Sequence, residues 1–137
     1  MVNRVYLLGN LGKDPVIKHF QNDGVIAEFS LATSDPYKNK EGQWVDVTDW
    51  HNIKVTNRFL AERVEKSLKK GSRVFVEGKL KTRSYEKDGQ KHWVTEVVVD
   101  FLRMLDKKEG TMNGQPEVQA EYAAQNNGAG TDDDLPF

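Results

Sequence analysis

The spacing of the apolar residues turns helical over one stretch of the chain and strand-like on both sides of it, and that pattern limits the fold more than any other feature. Between residues 58 and 70, Leu60, Val64 and Leu68 recur at helical spacing. On either side the apolar residues come in short stretches of strand type, separated by turn formers. Residues 2–11 read as a strand, ended by Gly12 and by Asp14-Pro15. Residues 25–33 form a second, with Val25, Ala27, Phe29 and Leu31 alternating inward. Residues 35–43, rich in Lys and turn formers, are a loop or hairpin, and residues 46–55 are a third strand. Asn57 caps the helix that follows, Lys69 and Lys70 suit its negative end, and Gly71 closes it. Residues 73–83 are a fourth strand, Asp88-Gly89 signals a turn, and residues 92–105 are a fifth, long enough to bend around a barrel.

Three strands, a helix and two more strands make an all-β fold with one helix. That order matches a five-stranded OB-fold barrel with its helix between strands 3 and 4. The expected domain covers residues 1–108. Residues 109–131 change character: Gln, Asn, Gly, Ala and Glu dominate, and only Met112, Val118 and Tyr122 are larger apolar residues. Such a segment cannot bury enough surface to offset its chain entropy, so a disordered linker is expected. Charge divides at the same place. Residues 1–108 hold all 20 Lys and Arg against 15 Asp and Glu, a net of +5, whereas residues 109–137 hold six acids and no base. The overall charge of −1 thus hides a basic body on an acidic tail, and the body invites a polyanion.

The final six residues, Asp132, Asp133, Asp134, Leu135, Pro136 and Phe137, form the expected partner-binding tip. Three carboxylates run into an apolar end, and Pro136 narrows the backbone to extended conformations, lowering the entropy lost on docking. A pocket would take the ring and a basic rim the carboxylates.

Strand parity separates core from surface in the body. On the third strand Val47, His51, Ile53 and Val55 share one face, so Trp50 points the other way with Thr48, Asn52, Lys54 and Thr56. On the fourth, Val74, Val76 and Leu80 point inward. Arg73, Phe75, Lys79, Lys81 and Arg83 point outward, and Tyr85 continues that parity. Aromatics interleaved with cations suit single-stranded nucleic acid, where a ring stacks on an exposed base and a cation meets the phosphate. Lys13, at the exit of the first strand, is a phosphate contact or a surface charge. Trp44 could stack from a loop or cover the core, Trp93 could fill a subunit interface, and His51 reads as a satisfied core or interface histidine and not a catalyst.

Other classes find little support. The segment Gly9-Asn10-Leu11-Gly12-Lys13 is neither a dinucleotide fingerprint nor a P-loop. The chain has no Cys, which excludes disulfides and Cys-ligated zinc, and His19, His51 and His92 lack metal-ligand spacing. No enzyme, cofactor or metal is expected. No apolar run is long enough to span a bilayer and no signal-peptide pattern opens the chain, so a cytoplasmic, nucleoid-associated protein is expected. An RNA-binding OB module and a protein-only adaptor remain as alternatives; the tip argues against the first and the basic outward ladder against the second.

Beside this reading, the chain resembles the bacterial single-stranded DNA-binding proteins over almost its whole length. The resemblance rests on Val5-Tyr6-Leu7-Leu8-Gly9-Asn10-Leu11-Gly12-Lys13-Asp14-Pro15, on Leu31-Ala32-Thr33-Ser34 and on Thr48-Asp49-Trp50-His51. It continues through Lys69-Lys70-Gly71-Ser72-Arg73-Val74-Phe75-Val76-Glu77-Gly78-Lys79-Leu80, Thr82-Arg83, Thr95-Glu96-Val97-Val98-Val99 and the Asp-Leu-Pro-Phe end. It implies a homotetramer that wraps single-stranded DNA without sequence readout in replication, recombination and repair. It also implies a tip that recruits helicases, nucleases, recombination mediators and polymerase subunits. The family's stacking positions carry over as Tyr37, Trp50 and Tyr85. A further aromatic position falls at Thr56, which cannot stack, and leaves Phe59 as the alternative ring.

Overall fold

The computed structural model describes residues 1–106, and the expected linker and the tip (Asp132, Asp133, Asp134, Leu135, Pro136 and Phe137) lie outside them. Eight strands and one helix follow in order: β1 (Val5–Leu11), β2 (Val16–His19), β3 (Val25–Ser34), β4 (Tyr37–Lys38), β5 (Trp44–Val45), β6 (Thr48–Val55), α1 (Arg58–Ser67), β7 (Arg73–Lys87) and β8 (Gln90–Met104).

The five long strands close on themselves. β1 pairs with β7, β7 with β8, β8 with β6 in parallel, β6 with β3, and β3 returns to β1 through Asn10↔Ala32 and Leu11↔Leu31. Closure abolishes the free edges of these strands and makes the OB-type barrel expected from element order. Alternate positions point inward and build one core: Leu31, Ile53, Val55, Val64, Val74 and Val76 are its largest fully buried side chains. Two glycines allow strands to approach closely there. A Cβ on Gly9 would lie 2.2 Å from the Ala32 carbonyl oxygen, and one on Gly78 would lie 2.1 Å from that of Val98.

Helix α1 lies against β3 and β6 and buries Ala61 and Val64. The Asn57 side chain accepts a hydrogen bond from the Leu60 amide at 3.2 Å, the expected N-cap. The helix ends sooner than its periodicity suggests. Leu68 is already extended, the Lys70 amide donates to the Asp14 carboxylate at 2.7 Å, and Gly71 (φ +88°) turns the chain into β7. Lys69 and Lys70 therefore lie in a turn, where tertiary hydrogen bonds outweigh helical propensity.

Three further differences from the sequence reading have physical causes. β2 is a four-residue edge strand after Pro15, too short for alternation to reveal. Val47 precedes β6 and is exposed, so it does not join Ile53 and Val55 in the core. Leu80 keeps inward parity and faces buried Val97, yet it is half exposed, because every position of β7 from Lys79 onward lies past the packed part of the barrel.

β7 and β8 thus run on together as a long hairpin. Asp88 (φ 55°) and Gly89 (φ 74°) both adopt the left-handed backbone that a tight two-residue turn requires. A bulge near its base leaves Asp100 without an opposite partner between the pairs Glu77↔Phe101 and Gly78↔Val99. It flips the parity of β8, so that Val97 and Val99 point inward before it and Leu102 after it.

Candidate nucleic-acid interface

The outward positions of β3, β6, β7 and β8 form one continuous surface. Cross-strand pairing aligns Ala32 with Trp50, Ser30 with Asn52 and Glu28 with Lys54. Parallel pairing puts Lys54 beside Val98, and the hairpin sets Lys79 opposite Val98, Lys81 opposite Glu96 and Tyr85 opposite His92. A groove of about 330 Å³ crosses this surface, lined by Lys13, Ser30, Asn52, Arg83, Val94 and Glu96 among others. A second hollow, bounded by Gly12, Lys13, Ser30, Trp50 and Asn52, continues it.

Trp50 stands at that end with 60% of its surface exposed. Its ring lies over Gly12, where a Cβ would come within 2.2 Å of Cζ3. An indole held against backbone on one side, with the rest exposed, is a stacking surface already in place. The far end carries a second set of rings. Tyr85 and His92 stack at 5.4 Å between centroids and 25° between planes, and the Arg83 guanidinium carbon lies 5.9 Å from the centre of the Tyr85 ring.

Charge along the groove is unevenly committed. Arg83 donates from Nε to Glu96 Oε2 at 3.2 Å and from Nη2 to Oε1 at 3.0 Å, a two-pronged pair. The Glu96 side chain is only 10% exposed. The hydrogen bonds from Arg83 hold its carboxyl below the ordinary glutamate value, against the opposing effect of burial. Lys18 pairs with Glu28 at 3.4 Å. Among the described residues, none of Lys13, Lys54, Lys79 and Lys81 lies within ion-pair distance of a carboxylate.

The expected site residues therefore divide. Trp50, Lys13 and Arg83 line the two hollows, Lys54, Lys79 and Lys81 flank them, and Tyr85 extends the surface along the hairpin. Tyr37 is exposed on the separate β4–β5 hairpin, one pair from the more exposed Trp44. Phe75 belongs elsewhere. It stacks on Tyr6 and meets Phe101 edge-on, each at 6.5 Å, in a half-exposed aromatic cluster on β1, β7 and β8. Arg73 is exposed near that cluster, ten residues along β7 from Arg83, or roughly 33 Å at the rise of a strand. Thr56 follows β6 and is exposed, and Phe59 projects from α1. His51 bonds Thr33 Oγ1 at 2.8 Å, a satisfied half-buried histidine as expected. Trp93 is exposed on the hairpin with the Lys91 ammonium 4.9 Å from its ring centre.

Sequence reasoning did not find the places of Gly12, Glu28 and Glu96. Parity on the second strand would have set Glu28 and Ser30 outward. The roles of Gly12 and Glu96 depend on which strands become neighbours.

The model of the Single-strand binding protein family matches residues 2–105. The chain belongs to that family. A single-stranded DNA-binding protein of Bacteroides thetaiotaomicron is 42% identical over 128 residues, covering 90% of this chain and 79% of the relative. Among solved structures of similar fold is the Plasmodium falciparum SSB complex with ssDNA. It superposes with a TM-score of 0.70 at 33% identity, over 77% of this chain and 96% of that one. A deletion mutant of the single-stranded DNA binding protein from Thermus aquaticus gives a TM-score of 0.67 at 32% identity, over 78% of this chain and 52% of that one. The region of the family match contains the barrel, the groove and both sets of rings.

Proposed function

We propose that this protein binds single-stranded DNA without reading base order, and in doing so protects DNA exposed during replication, recombination and repair. The observation that carries this reading is Trp50, exposed against Gly12 at the end of a groove flanked by lysines that are unpaired among the described residues. A ring accepts any base, and stacking contributes about 1–3 kcal/mol per base. Lys13, Lys54, Lys79 and Lys81 supply phosphate contacts, so affinity falls with salt, at a log–log slope of about −0.7 for each phosphate neutralised. Duplex DNA hides its base faces, which leaves the rings idle and sets the preference for single strands. Tyr37 and Tyr85 extend the track, and the described surface offers no set of base-edge readers that would impose a sequence.

The aromatic cluster of Tyr6, Leu8, Phe75 and Phe101 supports self-association, with the homotetramer as the assembled form. It is an exposed apolar patch on a barrel wall, the kind of surface that marks an interface. Phe75 is then an assembly residue more than a DNA contact. The acidic tip of Asp132, Asp133, Asp134, Leu135, Pro136 and Phe137 recruits helicases, nucleases, recombination mediators and polymerase subunits. The site of action is the nucleoid.

Titration of the intrinsic Trp fluorescence with oligo(dT) and with matched duplex, at low and high salt, tests the reading. Saturable quenching by the single strand alone supports it. Salt-sensitive binding with neither quenching nor strand preference would reduce the protein to a general polyanion binder.

A further inference from the structure

The cations of the groove do not share one condition. The lysines are unpaired among the described residues, whereas Arg83 has two of its nitrogens on Glu96. Glu96 is buried and has no other hydrogen-bond partner among the described residues. If Arg83 turned away to meet a phosphate, the largely covered Glu96 carboxylate would lose both of its hydrogen bonds and keep only the weaker attraction of Lys54 and Lys18. The pair therefore persists when DNA enters. It leaves Nη1 outside the pair, with Arg83 lining the groove and its guanidinium carbon 5.9 Å from the centre of the Tyr85 ring.

We infer that Arg83, clamped by Glu96, contacts the bases of the bound strand and not its phosphates, with Glu96 as the positioning residue. A clamped guanidinium is planar, electrically matched and fixed in orientation. Planar groups stack on bases, and arginine planes serve this purpose in single-strand recognition. Its charge is already neutralised, so displacing counterions from DNA is left to Lys13, Lys54, Lys79 and Lys81. Lysine could not replace it, because an ammonium has neither the fork to grip both carboxylate oxygens nor a face to stack.

The inference rests on the single-strand binding reading, and the experiment separates the two. Oligo(dT) affinity is measured across a salt series for the full-length protein and for Lys54→Ala, Arg83→Lys, Glu96→Gln and the pair Arg83→Ala/Glu96→Gln. The double variant avoids a stranded carboxylate, and thermal melting checks that each variant is folded. If the unaltered protein does not bind oligo(dT), the parent reading fails. If it binds, Lys54→Ala should flatten the salt slope by about 0.7. The double variant should weaken binding by about tenfold at every salt concentration with its slope unchanged, the lower range of one lost stacking contact. Arg83→Lys should not restore that loss. Glu96→Gln should steepen the slope by about 0.7, because it releases a charge that can reach a phosphate. A purely structural role for Glu96 would not move that slope. A double variant whose slope flattens by about 0.7, or whose affinity matches the unaltered protein, would overturn the inference, as would full rescue by Arg83→Lys.

Discussion

At the scale of single residues, most of the interface follows from what each side chain is set against. Trp50 is held by the absence of a side chain at Gly12, and this makes the glycine a test of the stacking surface. In a Gly12→Ala variant the new methyl meets the indole at 2.2 Å, so the ring must swing away. Oligo(dT) affinity should fall by about 1–3 kcal/mol, approaching the loss in Trp50→Ala, while the melting temperature changes little. Fluorescence titration and thermal melting on the same samples check both halves of that expectation. Glu96 gives a second residue-level test. Its carboxyl is held below the ordinary value of 4.5 by Arg83, so the ion pair contributes stability that is fully present above that pH. The contribution is lost as pH falls through the lowered folded-state value. Acid unfolding followed by circular dichroism should show this loss below about pH 4.5, and Glu96→Gln should flatten that part of the profile.

At the scale of elements, a capping side chain and a turn dipeptide do much to define the ends of what packing stabilises. The Asn57 bond to the Leu60 amide satisfies one of the open donors at the start of α1. Asn57→Ala should cost about 1 kcal/mol, read as a lower melting temperature with DNA affinity preserved, since Asn57 lies on none of the groove-lining positions. The major elements were legible because their signals are local: alternation in β3, helical spacing in α1, Asp88-Gly89 at the hairpin turn. Parity also placed Trp50, Lys54, Lys79, Lys81 and Arg83 on the outer face. What stayed hidden depends on tertiary neighbours. The end of α1 is decided by Asp14, more than fifty residues away in sequence. The exposure of Leu80 depends on where the packed barrel stops, and the clamp on Arg83 depends on the register of β7 against β8. Phe75 obeyed its parity, but the face it shares with the lysines is long enough to hold two different surfaces.

At the scale of the whole molecule, those two surfaces give the barrel wall two different characters. One is grooved and lined with charges, and the other is a ridge of Tyr6, Phe75 and Phe101 with Leu8 beside it. If the ridge holds copies together, a charge within it should separate them. Phe101→Glu should sediment as a smaller species than the unaltered protein in analytical ultracentrifugation, while each barrel still quenches with oligo(dT). An unchanged sedimentation coefficient would send the search for the assembly surface elsewhere. The resulting loss should be greatest with long DNA, because a strand that spans several barrels gains from their linkage and a short one does not.

Past Arg83 and Val94 the β7–β8 hairpin has no buried side chain, and the inward row that would anchor it ends at Val97 and half-exposed Leu80. A two-stranded ribbon without a core beneath it is marginally stable by itself. Its backbone amides should therefore exchange with deuterium through local opening, far sooner than those of β3 or the first half of β7, which await global unfolding. Bound single-stranded DNA lying along Tyr85 and Arg83 would slow that exchange, so the tip of the hairpin would report occupancy of the groove as protection in a mass spectrum.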